Sequence, residues 1–224
     1  MKRRPRTLVI SGKMSYHANV TAVVYFVRKV MPLVWESLPD TQLWVVGKDP
    51  TSEIQRLGIR WQEDPKTPAT RESTKARIRI TGEVKDIRPY LWSASIAVAP
   101  IQYGAGIQNK VLEAMACGIP VVATPQAVRA LRVRKGQDLL VANGHQEMAH
   151  SIVSLLGDSQ RRAILGREGR IYVEKYHDWH LTAQTVTSIY RDTAQGLKTS
   201  RFVTSKAKHP IIPFKATASI STQE

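Results

Sequence analysis

Short apolar runs alternate along the chain with longer stretches of helical periodicity. Residues 7–11 (Thr-Leu-Val-Ile-Ser) are dominated by large apolar side chains and predict a strand. Residues 18–38 predict a helix with Val20, Val23, Val24, Val27, Val30, Met31 and Val34 near one face. The pattern then predicts a strand over 42–47 and a short helix over 52–57. Residues 64–74 are polar and carry Pro65 and Pro68, so an exposed loop is expected there. Further strands are expected over 77–81, 95–100, 120–124 and 139–141, with helices over 86–92 and 107–117. Helical stretches over 146–156, 160–176 and 181–196 follow.

Strands that alternate with helices predict βαβ units and a parallel sheet. Strands that are apolar on both sides belong in a sheet covered on both faces. The expected fold class is therefore α/β, a Rossmann-like parallel sheet with helices on both faces and a C-terminal helical extension. Ligands of open α/β sheets sit beyond the carboxyl ends of the strands. That rule directs attention to the loops 11–19, 81–86 and 100–109. After Gly196 the chain is rich in Lys, Thr and Ser and has no sustained period, so 197–224 is expected to be a flexible basic tail with a local contact over 211–214. The basic start, 1–6, is linker-like, and 7–196 is expected to be one ligand-binding domain.

Composition narrows the options. A hydrophobic fraction of 42% is enough for a core. No apolar run approaches the ~18 residues of a membrane span, and the run after the basic start is too short for a secretory signal. The single cysteine, Cys117, allows no intramolecular disulfide and reads as a core residue. A cytoplasmic location is expected. The net charge of +15 fits phosphorylated ligands or peripheral contact with the anionic inner face of a membrane. The basic residues are scattered and no nucleic-acid motif accompanies them, so no nucleic-acid partner is expected.

The candidate chemistry lies in the run from Tyr103 to Thr124. Gly104 and Gly106 stand between a strand and a helix. Glycine permits a sharp turn there, and the free amides of Gly106, Ile107 and Gln108 at the helix start form an anion site. Lys110 adds a full positive charge. A tight turn alone is the simpler reading of the two glycines. Glu113 lies among Val111, Leu112, Ala114, Met115 and Ala116. A buried carboxylate is costly unless something binds it. Asn109 and Lys110, at helical spacing, would satisfy it structurally, whereas ligand hydroxyls would satisfy it functionally. His17 in the first loop is either a phosphate or sugar contact or an ordinary surface residue.

Glu113-Ala-Met-Ala-Cys-Gly-Ile-Pro-Val-Val-Ala-Thr124 resembles the E-A-M-A-x-G-x-P-V-V-A block of group 1 (GT4-like) glycosyltransferases of the GT-B fold. The resemblance extends to Gly12-Lys-Met14, Thr81-Gly-Glu-Val84, Pro100, Asp138-Leu-Leu-Val141 and the C-terminal helices. The run Gly-Ile-Gln-Asn-Lys-Val-Leu-Glu-Ala-Met-Ala is similar to a bacterial sugar-transferase subgroup associated with exopolysaccharide synthesis. The resemblance implies a donor-binding GT-B half that takes a UDP- or GDP-linked sugar, without a metal or other cofactor and with retention at the anomeric carbon. It implies donor-binding roles for Gly12, His17, Asn19, Val84, Gly104, Gly106, Ile107, Gln108, Asn109 and Glu113. Glu113 would hold the ribose and the Val84 backbone the base, while Lys13 and Lys110 would stabilise the leaving diphosphate as catalytic groups.

The sequence departs from the family pattern twice. The first of the family's paired glutamates falls on Ala105, and a first-loop lysine falls on Ala18, with Lys13 standing in for the preceding arginine. The implied reaction is sugar transfer to a saccharide or lipid-linked acceptor. That acceptor is expected on a separate chain or domain. The alternative is a non-catalytic nucleotide-sugar-binding module or a remnant of a split, truncated transferase.

Overall fold

The computed structural model describes residues 3–60 and 77–194. The loop expected over 64–74 and the tail expected over 197–224 lie outside the described residues. Seven strands form one sheet: β1 (Thr7–Ser11), β2 (Gln42–Val46), β3 (Ile59–Arg60), β4 (Ile78–Ile80), β5 (Ile96–Ala99), β6 (Val121–Ala123) and β7 (Leu140–Val141). Their order is β3-β4-β2-β1-β5-β6-β7, and every pairing is parallel. The Rossmann-like α/β expectation holds. Among the strands, the sequence pattern misses only β3.

The alternation of side chains along each strand builds two cores. Leu8, Ile10, Leu43 and Val45 pack with Val23, Phe26, Val30 and Met31 on one face. Val9, Trp44 and Val46 pack with Tyr90, Leu91, Val111 and Met115 on the other. Full burial of each such side chain contributes about 1.5–3 kcal/mol before its ordering entropy is counted.

The helix expected over 18–38 forms as α1 (His17–Tyr25), a π-helical stretch (Phe26–Val30) and α2 (Met31–Ser37). Pro32 accounts for the irregularity: it lacks an N–H, and its ring crowds the carbonyl one turn earlier. The remaining helices are α3 (Ser52–Gln55), α4 (Arg88–Ser93), α5 (Asn109–Ala116), α6 (Pro125–Val128), α7 (His145–Gly157) and α8 (Ser159–Tyr176). One compact unit ends at Asp178 and a second begins at Trp179 with α9 (Trp179–Ala194). No helix among the described residues is long and apolar enough to cross a membrane.

Two glycine pairs set the spacing at opposite ends of the sheet. At the carboxyl end, a Cβ added to Gly47 would stand 1.7 Å from the Gly12 carbonyl oxygen. At the amino end, a Cβ on Gly166 of α8 would stand 2.2 Å from the Gly118 carbonyl oxygen. Residues 3–6, linker-like by charge, are bonded to this amino end. Arg3 donates to the carbonyls of Ala94 (3.0 Å) and Gly118 (2.7 Å), and the Arg4 backbone bonds Ser93 and Ser95. Arg6 pairs with Asp40 at 2.5 Å.

Candidate functional site

On one side of β1 in the sheet lie β2, β4 and β3; on the other lie β5, β6 and β7. The carboxyl ends of β1 and β5 therefore flank a topological switch point, where the loops diverge and leave a crevice. The first loop, after β1, carries Gly12 and Lys13 and leads into α1, whose first turn carries His17 and Asn19. The second, after β5, carries Gly104 to Gln108 and leads into α5.

Two side-chain links join these loops. Asn19, at the start of α1, is buried. Its amide nitrogen donates to the Lys13 carbonyl (2.8 Å), which leaves Oδ1 to accept from Lys110 Nζ. The same corner contains Gly12, whose Cα direction points 2.9 Å from Asn19 Nδ2 and 3.5 Å from Lys110 Nζ when a Cβ is built there. Only glycine leaves that corner open. The second link is Tyr103. Its hydroxyl lies 3.0 Å from both His17 Nδ1 and Thr21 Oγ1, and its ring stacks on His17 with centroids 5.3 Å apart.

The phase of α5 decides which side chain enters the crevice. Val111, Ala114 and Met115 are buried. Lys110 lies one turn before Ala114, on the inner side, and is half-buried. Burial pushes its ammonium down to about 8, an effect partly opposed by the Glu113 carboxylate. Asn109, Glu113 and Ala116 form the exposed stripe. The expectation of a buried Glu113 is therefore corrected: apolar neighbours in sequence face inward while the carboxylate faces solvent. Nor does Lys110 neutralise it by direct pairing, since Lys110 bonds Asn19 and no ion pair joins it to Glu113 among the described residues.

The second loop presents donors. The backbone N–H groups of Gly106, Ile107 and Gln108 meet no acceptor among the described residues. Gly104 and Gly106 have φ of 138° and 78°, a region that disfavours other residues. Gln126 of α6 donates from Nε2 to the Gly104 carbonyl and fixes the loop from below. Gln108 is the N-cap residue without a side-chain cap bond, Asn109 opens the helix, and Ile107 is half exposed. Free amides, the positive end of the helix dipole and Lys110 thus lie together at the start of α5. Lys13 is exposed beside it, and its ammonium has no partner among the described residues.

Val84 lies apart from this cluster, in the loop after β4. Two strand spacings, about 10 Å, separate β4 from β1. Its side chain packs against the second core, and its backbone N–H and C=O are unpaired among the described residues. The Thr81 hydroxyl accepts from Gly47 N–H (3.3 Å) and donates to the Gly82 carbonyl (2.8 Å), which shapes the turn. A cleft of about 500 Å³ adjoins it, lined by Asp49, Pro50, Gln55, Ile80, Gly82 and Glu83. Tyr103, Thr21, Gln126 and Gly47 were not singled out by the sequence. Only Tyr103 lay inside a notable run, and nothing there signalled its hydroxyl bonds.

A doubly wound parallel sheet with a crevice at its switch point defines a Rossmann-like α/β unit. A family profile described as "Glycosyl transferases group 1" matches residues 5–158. The chain belongs to the group 1 glycosyltransferase family. It is 29% identical over 168 residues to a GDP-mannose-dependent monoacylated alpha-(1-6)-phosphatidylinositol monomannoside mannosyltransferase of Corynebacterium glutamicum, an alignment covering 72% of this chain and 42% of that protein. Among solved structures it is similar to sucrose-phosphate synthase from Thermosynechococcus elongatus (TM-score 0.64, 21% identity, 86% of this chain and 46% of that one). It is also similar to Anabaena Alr3699/HepE in complex with UDP (TM-score 0.58, 17% identity, 86% and 49%). The chain spans about two fifths of the length of the curated relatives it matches. The fold is that of one GT-B half.

Proposed function

We propose that this chain is the nucleotide-sugar donor half of a group 1 glycosyltransferase. The diphosphate of a UDP- or GDP-linked sugar lies in the β1–β5 crevice, and the base reaches toward the Val84 loop. The observation that carries this reading is the meeting of Lys110 and Asn19 at a corner kept open by Gly12, with the unpaired amides of Gly106 to Gln108 just ahead of Lys110 on the same loop and helix start. As the sugar leaves, negative charge grows on the diphosphate, and preorganised cations and amides aimed at that point lower the barrier. Lys110 and Lys13 serve as the cations. Glu113, exposed one turn into α5, accepts from the ribose hydroxyls. This chemistry uses no metal and retains the anomeric configuration. The C. glutamicum relative is named for GDP-mannose and the Anabaena structure holds UDP, so both bases stand as donors.

The acceptor is a saccharide or lipid-linked hydroxyl held by a separate domain or chain, in exopolysaccharide assembly or the related building of glycolipids. The exposed apolar side chains Trp179, Val186, Ile189 and Tyr190 of α9 suit such a protein partner. The +15 charge suits peripheral contact with the inner face of the membrane. Ala105, where a donor-side carboxylate would stand, favours a second reading, a nucleotide-sugar-binding module without transfer activity. Calorimetric titration with UDP, GDP, ADP and their sugars tests the donor site. One nucleotide should bind, and Glu113→Ala should weaken it. Hydrolysis or transfer of the bound donor separates the transferase from the module.

A further inference from the structure

The buried cation of the crevice comes from α5. Ala18, near the start of α1, is buried in the core beneath the loop. The ammonium at the Gly12 corner instead arrives from across the switch point, on Lys110 of α5, and meets Asn19 there. Asn19 is fixed by its own bond to the Lys13 carbonyl. We infer that Asn19 is the positioning residue that draws Lys110 into the phosphate corner, so that donor binding depends on the protonation of Lys110. This rests on the donor-site reading above.

The Asn19 amide is oriented with Oδ1 toward Lys110, because Nδ2 is engaged by the first-loop backbone. An oxygen acceptor favours the charged ammonium, whereas burial disfavours it. Burial has the larger effect and holds the group at about 8 in the free protein. Glu113 on its own helix pulls the other way. The first loop offers Lys110 the neutral Asn19 and Gly12, with Lys13 and His17 as that loop's ionisable residues. A diphosphate entering the corner adds negative charge and raises the ammonium back toward its ordinary range. Binding therefore takes up a proton wherever the free protein has lost one. Affinity is level below about pH 8 and falls as pH rises beyond it.

The test is calorimetric titration of UDP, GDP and inorganic pyrophosphate into the purified chain between about pH 7 and 9.5, a window bracketing the Lys110 value. Two buffers of different ionisation enthalpy report the protons taken up. Near-UV circular dichroism and the unfolding midpoint establish that each variant is folded. In the parent, affinity should fall above about pH 8, with proton uptake. Asn19→Ala removes the acceptor and should move the midpoint to lower pH. Asn19→Asp adds negative charge and should move it to higher pH, whatever it does to affinity. Lys110→Met should abolish the pH step and weaken pyrophosphate about tenfold or more. A folded Asn19→Ala and Asn19→Asp that weaken binding without moving the midpoint would overturn the inference. So would a parent that binds UDP or GDP with no proton uptake, and in both cases the donor reading survives. Failure of all three probes to bind would overturn both.

Discussion

The two ends of the sheet use the same materials differently. Each has a glycine pair at which backbones nearly touch, and each has cations. At the amino end the cations are consumed: Arg3 is bonded to two carbonyls, and Arg6 to Asp40. At the carboxyl end Lys110 is held by a single neutral oxygen and partly stripped of water, beside amides with no acceptor among the described residues. A cation with satisfied partners holds the fold together. One placed in a desolvated corner beside free donors is ready for an anion. The overall charge of +15 does not distinguish the two; the partners do.

The largest effect separating the ends is expected from the glycines. Gly166→Ala forces a backbone clash at 2.2 Å and should cost about 3 kcal/mol or more in denaturant unfolding. Nucleotide affinity of the folded fraction should be unchanged. Gly47→Ala, at 1.7 Å from the Gly12 carbonyl, should damage stability and affinity together. If Gly166→Ala weakens binding as much as Gly47→Ala does, the division between the ends fails.

Lys110→Met should reduce UDP or GDP affinity by about 1.5–3 kcal/mol, the worth of a charge-assisted bond. It should not destabilise the fold, because a buried ammonium is removed. Stability against pH gives the sign. The folded value of about 8 lies below the ordinary 10.5, so across that window the unfolded chain binds the extra proton. The parent should therefore gain stability as pH rises from 8 toward 10.5, and Lys110→Met should lack this gain. Arg3→Ala should behave oppositely, losing about 1–3 kcal/mol of stability with no change in affinity. The smallest effect belongs to Glu113→Ala. An exposed carboxylate leaves stability within about 0.5 kcal/mol, while nucleotide binding weakens and pyrophosphate binding does not.

The strands and most helices were legible because apolar runs of three to five residues, such as Thr7–Ser11 and Gln42–Val46, are bounded by turn residues. That the sheet is parallel followed from their alternation with helices, whereas the strand order did not. Helical phase was not legible at Glu113. Leu112 and Ala116 made its surroundings look apolar, yet Ala116 itself faces solvent, and only the packing of Val111, Ala114 and Met115 against the sheet sets the rotation. The loops that carry the site could be located in the sequence, and so could Gly12, Asn19, Lys110 and the two loop glycines. Their connections could not. Asn19 and Lys110 are 91 residues apart, and His17 and Tyr103 are 86 apart. Such pairs exist only once β1 and β5 lie side by side. The Gly118–Gly166 contact is hidden in the same way, in two residues that read as a helix end and a helix interior.

The central claim is that the crevice between β1 and β5, and not the basic amino end, receives the diphosphate. Amide chemical-shift mapping of the labelled chain with UDP or GDP tests it most directly. Shifts should concentrate at Gly12, Asn19 and the amides from Gly104 to Lys110, with a second group near Val84. Shifts gathered around Arg3, Ala94 and Gly118, with the crevice silent, would contradict it.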